Sequence, residues 1–318
     1  MPTKPLVTRY EQDLALFPDF WHKVAIVLLV AVVVAWPLLA DAKWMGVANL
    51  ALTAIVGAMG MMILTGFAGQ ISLGHAAFLA VGAYTTAVMG EQLRWPFWLC
   101  MPASGVMAAA VGMAVGPFAL RLRGLYLAIV TLGLLFLVNH LLMSLPGWTH
   151  GASGIAVPMH TWFVAEDAAR GTHSFTTTWD LGFMKLDYDR KLYGLFLVLA
   201  VGAAWMGKNV ARSNTGRAMM AVRDHDLAAS VLGVNPARSK IVAFGLSSFL
   251  GGIAGAMFAY QQQYITVDPP FNLGMSIDYI AMIVLGGVGT TFGAVAGAIA
   301  FEVLSPLSEI VGERLPLI

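Results

Sequence analysis

The sequence predicts an all-α, polytopic membrane protein of about eight or more transmembrane helices, and three observations carry that reading. Of 318 residues, 58% are hydrophobic and only 11% charged, with a mean hydropathy of +0.76; soluble domains carry roughly 25% charged residues. Apolar runs recur at about the 20-residue length that a helix needs to cross the hydrocarbon core. The alternation of a β-barrel strand is absent. Composition also excludes other classes. Eighteen basic and seventeen acidic residues nearly cancel, which gives no case for nucleic-acid binding. The one cysteine, Cys100, excludes an internal disulfide framework and a Cys-based metal cluster.

Taken in order, residues 1–23 form a cytoplasmic tail. No apolar run opens directly behind a short basic start, so the tail is not a cleavable signal. A single transmembrane domain, 24–318, follows, with expected spans at 24–40, 46–65, 76–92, 97–119, 125–143, 192–207, 241–262 and 276–301. The sixth is short and the eighth is interrupted by Gly286-Gly287-Val288-Gly289. Lys208, Arg212, Arg217, Arg223, Arg238 and Lys240 supply six of the eighteen basic residues. Alternate threading puts them on one face with Lys4, Arg9 and Lys23 and with Arg121 and Arg123. By the positive-inside rule that face is cytoplasmic.

The segment 144–190 is then an extracytoplasmic loop, whose Trp148, Trp162 and Trp179 suit the membrane interface. Arg314 among Glu302, Glu309 and Glu313 leans the tail outward, which requires 276–301 to form two short or re-entrant segments. Asp278 and, at the end of the third span, Glu91 are the charges inside the spans as drawn. Intramembrane charges usually mark ion relays, so their scarcity argues against an ion-coupled carrier and suits a pathway for a neutral or zwitterionic solute.

Three segments are candidate sites. The stretch GFAGQISLGHAAF places Gly66, Gly69, Gln70, Ser72, Gly74 and His75 between two apolar runs. Non-helical backbone at membrane depth is tolerated where protein or a water-filled cavity satisfies it, and broken helices of this kind line transporter pathways. The plain alternative is a cytoplasmic hairpin with glycine caps, in which His75 is a hydrogen-bonded helix start. In GGVGTTFGAVAGA, Gly289, Gly293 and Gly297 recur every four residues, a packing face, while Gly286 and Gly287 can break the helix.

The third segment, 212–240, is RSNTGRAMMAVRDHDLAASVLGVNPARSK. Asn214 or Thr215 caps a helix with Met219, Val222, Leu227 and Val231 near one side, ending around Gly233. An interfacial helix on anionic lipid headgroups and a docking element for a soluble partner are both consistent with it. Asp224 and Asp226 favour docking. Gly202 to Asn209 nearly spells a P-loop, but Asn209 stands where Ser or Thr must reach magnesium, within an apolar helix. Thr131, Asn139 and His140 suit interhelical hydrogen bonding. The seven histidines form no HExxH or other metal spacing.

GFAGQISLGHAAFLAVGAY, RLRGLYLAIVTLG and GRAMMAVRDHDLAASVLGVNPARSKIVAFGLSSFLGGIAGAMFA together resemble the branched-chain amino acid ABC permease family, LivM type, over about residues 46–310. The resemblance implies an importer in a bacterial inner membrane. It pairs with a second related permease subunit, two cytoplasmic ATPases and an extracytoplasmic binding protein that delivers leucine, isoleucine or valine. The permease itself needs no catalytic residue, cofactor or metal, and ATP is used by the ATPase.

Ala228-Ala229-Ser-Val-Leu-Gly233 resembles the AAxxxG core of the loop that couples to the ATPase, and Gly216, Arg217, Ala221 and Arg223 match the block before it. Leu227 replaces the usual leading Glu. Gly66 to His75 and the 286–289 glycines are assigned to the pathway and its gate. HGASGIAVP (150–158) departs from the family's outer-loop pattern at His150 and Ala152. Family members usually continue past the equivalent of ERLPLI (313–318) into another apolar span, so a truncated product or fragment is expected here, with a shorter permease as the alternative. Urea and amide permeases share much of the pattern, and a stand-alone facilitator is the rival from another class.

Overall fold

In the computed structural model, residues 33, 35–118, 122, 124–160, 179–180 and 185–314 are described, with backbone alone at 179–180, 185–186 and 309–314. The expected tail 1–23, most of the span 24–40, Arg121, Arg123, Trp162 and residues 315–318 lie outside the described residues. The chain divides into two compact units, 1–45 and 46–318. In the first, Ala40 N–H donates to the Trp36 carbonyl and Met45 N–H to that of Asp41, both at 2.9 Å.

The helices, in order, are α1 (Ala42–Met61), continued by a π-helix at Met62–Phe67, α2 (His75–Glu91), α3 (Phe97–Val115), α4 (Leu125–Ser144), α5 (Tyr188–Arg212), α6 (Asn214–Val231), α7 (Pro236–Gln262), α8 (Leu273–Gly286) and α9 (Thr291–Arg314). Among the described residues, six stretches are long and apolar enough to cross a membrane: 42–67, 97–115, 125–144, 188–212, 236–262 and 291–308. A four-residue helix (Pro146–Thr149), a 3-10 turn (Gly151–Ser153) and two short antiparallel pairs lie between and beside these helices. The pairs join β1 (Ile155–Ala156) to β4 (Tyr264–Ile265), and β2 (Trp179–Asp180) to β3 (Lys185–Leu186).

Two expectations are corrected and a third holds. The sixth span, drawn at 192–207, is a 25-residue helix. Backbone hydrogen bonding continues through Asp189, Arg190 and Lys191 and through Lys208 and Arg212, where hydropathy alone stops. The eighth, 276–301, is two helices separated by a turn at 287–290, as its glycine interruption predicts, and the second runs on to Arg314. Glu302 lies within the apolar stretch Thr291–Ser308, so it joins Asp278 and Glu91 among the charges of the apolar segments.

Buried fractions order the bundle. Over an 18-residue window of each stretch, 83% of residues are buried in 42–67 and 67% in 236–262, against 33%, 28% and 22% in 97–115, 125–144 and 188–212. The tightest packing joins α7 to α2 and α3 through small residues. A Cβ on Gly82 would overlap the Gly252 backbone, one on Gly255 the Leu79 carbonyl and one on Gly112 the Ser248 side chain. Ser104 Oγ donates to the Gly252 carbonyl at 3.2 Å. Lipid tails are as apolar as leucine, so close backbone approach and interhelical hydrogen bonds drive such association.

Loops sort to two ends. At one, Gln92 Nε2 donates to the carbonyls of Gly147 (3.2 Å) and Trp148 (3.0 Å), Phe97 N–H donates to the His160 carbonyl, and Ile155 pairs with Ile265. At the other, residues 66–70, 124–127, 222–226, 240 and 289 come together. This sorting matches the alternate threading, and the second end is the one whose loops carry the basic residues.

Candidate functional site

The break after α1 starts as a widened turn. Ala68 N–H reaches the Ile63 carbonyl at 3.2 Å and Gln70 N–H the Leu64 carbonyl at 3.1 Å, so the last turn holds more residues than an α-helix does. Gly69, at φ +66°, then turns the chain out of the helix, a conformation that glycine adopts freely. From Gly69 to Gly74 the backbone is non-helical, and buried polar groups there must find partners.

Neighbouring helices supply them. Leu73 N–H donates to Thr131 Oγ1 (3.0 Å) and Ala76 N–H to Ser276 Oγ (3.0 Å), while Gly74 N–H donates to Ser72 Oγ (3.2 Å). A side chain on Gly74 would overlap the Thr131 carbonyl. His75 opens α2 fully buried. Its Nε2 lies 3.0 Å from the Gly57 carbonyl, which can only accept, so Nε2 carries the proton. The imidazole stands edge-on to Tyr279, with centroids 5.1 Å apart, and Tyr279 lies over Gly57. Gln70 differs from its neighbours: it is 5% exposed, yet neither Nε2 nor Oε1 has a hydrogen-bond partner.

The 212–240 segment folds as α6, capped by Ser213, whose Oγ accepts from Gly216 N–H at 3.1 Å. The expected caps are corrected, since Asn214 accepts from the Arg217 guanidinium instead. The single apolar side is also corrected. His225 has φ −154° and ψ 98°, which kinks the helix. Before the kink Gly216, Met219 and Val222 are buried; after it Leu227, Val231 and Leu232 are 74%, 87% and 83% exposed. Arg217 and Ala228 are exposed, Ala221 is half-buried and Ala229 is buried. The helix ends at Gly233, φ +86°, with Val234 N–H bonded back to the Ala229 carbonyl, a Schellman closure.

The candidate groups meet at Arg223. Its Nη1 donates to the Gly66 carbonyl at 2.6 Å. A carbonyl at the end of a helix lacks an intrahelical donor, and a guanidinium there also complements the negative end of the helix dipole. The Arg223 stem lies over Gly69, where a Cβ would come within 2.5 Å of Cγ. Nε holds Asp224 Oδ1 at 3.0 Å. Gly289 closes the junction from the α8–α9 turn, its N–H only 2.9 Å from where a Gly66 Cβ would lie. A cavity of about 280 Å³ opens beside it, with Gln70, Leu127, Arg223, Asp226 and Lys240 among its walls.

The other predicted residues take structural places. Gly289 lies in the turn rather than on the packing face with Gly293 and Gly297, which instead meet Gly286 backbone to backbone. The near-P-loop sits inside α5, where Gly207 packs on Met59. Asn139 Nδ2 donates to the Phe271 carbonyl at 2.8 Å. Sequence reasoning missed Gly57, Ser276 and Tyr279. A polar and an aromatic residue three apart on one face of α8, ahead of a glycine turn, is the signal that marks the last two. Among the described residues, no group of three His, Cys, Asp or Glu is placed to hold a metal ion.

Residues 44–316 match the family model described as branched-chain amino acid transport system / permease component. The high-affinity branched-chain amino acid transport system permease protein LivM of Escherichia coli K12 is 35% identical over 288 residues, 89% of this chain and 67% of that protein. LivM of Salmonella typhimurium is 34% identical with the same coverage. The autoinducer 2 import system permease protein LsrC of Enterobacter sp. 638 is 31% identical over 62% of this chain and 53% of that protein. No solved structure matches the chain. The chain belongs to the branched-chain amino acid transport permease family: it is a multi-pass ABC permease subunit, non-catalytic and without a cofactor of its own, and ATP is used by a partner ATPase.

Proposed function

We propose that this permease carries branched-chain amino acids inward across a bacterial inner membrane, within an importer of two related permease subunits, two cytoplasmic ATPases and an extracytoplasmic binding protein. The carrying observation is the Arg223–Gly66 hydrogen bond, which ties the loop expected to meet the ATPase to the break between α1 and α2. Leu227, Val231 and Leu232, exposed beyond the His225 kink, form the apolar docking surface for the ATPase. Closure of the ATPase dimer on ATP moves α6. Arg223 carries the motion to the Gly66–His75 segment, and Gly289 carries it to the turn between α8 and α9. The scarcity of charge at membrane depth suits a zwitterionic solute that needs no ion coupling.

The test is uptake of radiolabelled leucine and of urea in vesicles carrying this chain with its companion permease, ATPase and binding-protein subunits, with and without ATP. ATP-dependent leucine uptake that valine competes is the expected outcome. Urea uptake in its place would move the solute while keeping the mechanism. Uptake independent of ATP and of partners would overturn the reading.

A further inference from the structure

The cavity beside Arg223 has features that coupling alone does not require. It measures about 280 Å³, equivalent to roughly nine waters at their liquid volume. That is near the lower limit of small-molecule pockets and too small for a nucleotide. Two buried polar side chains line it, Gln70 at 5% exposure and Lys240 at 8%. The Gln70 amide is a donor and an acceptor, both without a protein partner, and leaving such a group buried and unpaired costs about 1–3 kcal/mol. Such an orphan calls for a ligand that both accepts and donates.

The charges of the wall narrow its class. Arg223 and Lys240 are cationic, Asp224 and Asp226 anionic. Two carboxylates repel an inorganic anion, and two cations repel a divalent metal. A small zwitterion is complementary to both signs at once, and Leu127, 2% exposed, adds an apolar wall. Position adds a consequence. One wall belongs to the break (Ala68, Gly69, Gln70) and the other to the kink of α6 (Val222 to Asp226). A ligand that touches both favours the arrangement in which they are close, and a ligand shifts an equilibrium by its differential affinity for the two states.

We propose that this cavity binds a free α-amino acid from the cytoplasmic side, and that its occupancy holds the α6 kink against the α1–α2 break and slows the importer. The site is thus a product sensor, which rests on the reading of the chain as an inward amino acid permease.

The experiment uses the complete importer in proteoliposomes loaded with ATP, with binding protein and labelled leucine outside. Vesicles preloaded with unlabelled leucine at millimolar concentration are compared with vesicles lacking it, and initial ATP-driven uptake is read as a ratio. Preloading is expected to slow wild-type uptake about fivefold or more, within the usual range of coupling between sites. Leucinamide, which lacks the carboxylate, and 4-methylpentanoate, which lacks the ammonium group, are expected to have no such effect. Lys240→Met and Asp226→Asn are each expected to return the ratio toward one, each variant's own empty vesicles serving as its control.

ATP-dependent uptake with a ratio of one in the wild type would overturn the site while leaving the importer intact. Inhibition that persists in both variants would overturn it too, by locating the effect elsewhere in the complex. Absence of ATP-dependent leucine uptake from empty wild-type vesicles would instead overturn the underlying function. The wild-type ratio and the two analogues decide the matter even where a variant fails to assemble.

Discussion

The two glycine-rich interruptions look alike in sequence and are built in opposite ways. The break at 66–75 is enclosed: Gly66, Ser72, Gly74 and His75 are buried, and the N–H groups of Leu73, Gly74 and Ala76 are satisfied by Thr131, Ser72 and Ser276. The break at 287–290 is a half-exposed to exposed turn between α8 and α9, capped by Thr290 through its bond from Gly293 N–H at 3.1 Å. The first therefore depends on several other helices being in place, and the second depends mainly on itself. A segment held by many partners responds when any of them moves. This is why the reading above places the gate at the first and gives the second a supporting part.

Substitutions can sharpen or break that contrast. Gly74→Leu has the largest expected effect, because its side chain would have to displace the Thr131 backbone. Overpacking of this kind costs roughly 1–3 kcal/mol or more, and backbone is the least yielding neighbour; no monodisperse permease is expected by size-exclusion chromatography in detergent. Recovery of a well-assembled Gly74→Leu protein would remove the claim that the first break is enclosed.

Next is Arg223→Met, expected to insert normally while losing about tenfold or more of ATP-dependent uptake, equivalent to roughly 1.4 kcal/mol of coupling. Arg223→Lys should recover part of it. Unchanged uptake in Arg223→Met would detach the α6 loop from the break. Thr131→Val should follow, destabilising by about 1–3 kcal/mol because the Leu73 N–H is left unpaired, read as a lower melting temperature of the purified protein. The smallest effect belongs to the second break. Thr290→Ala, which removes a helix cap, is expected to cost about 1 kcal/mol with uptake nearly intact. A larger loss there than in Thr131→Val would reverse the comparison.

Much of this was legible in the sequence, for physical reasons that also mark where legibility ends. Apolar length and the distribution of Lys and Arg are local properties, so the spans and the sorting of loops to two ends could be read directly. Glycines mark where chain direction changes, which exposed both breaks. The kink at His225 was invisible, because no glycine or proline stands there and the helical register continues on paper from Met219 to Val231. The bond between Arg223 and Gly66 joins residues 157 positions apart, and nothing in either segment names the other. Gly57 and Tyr279 escaped for the same reason: their meaning lies in being opposite each other. The cavity around Gln70 belongs to this class as well.

The burial of α1 has a further consequence, for the order in which the protein is made. Over an 18-residue window of 42–67, 83% of residues are buried in the finished fold, yet the mean hydropathy there, 2.0, is close to the 2.2 of the window in 125–144, where only 28% are buried. The main neighbours of α1 near the interior, α7 and α8, begin at Pro236 and Leu273, long after Phe67 has left the ribosome. During that interval α1 stands in lipid without them, and its composition has to suit that temporary solvent. The non-helical backbone at Gly69 to Gly74 gains its Ser276 partner only when α8 arrives. Biogenesis therefore selects an interior helix that looks like a peripheral one, and the polar break beside it is completed last.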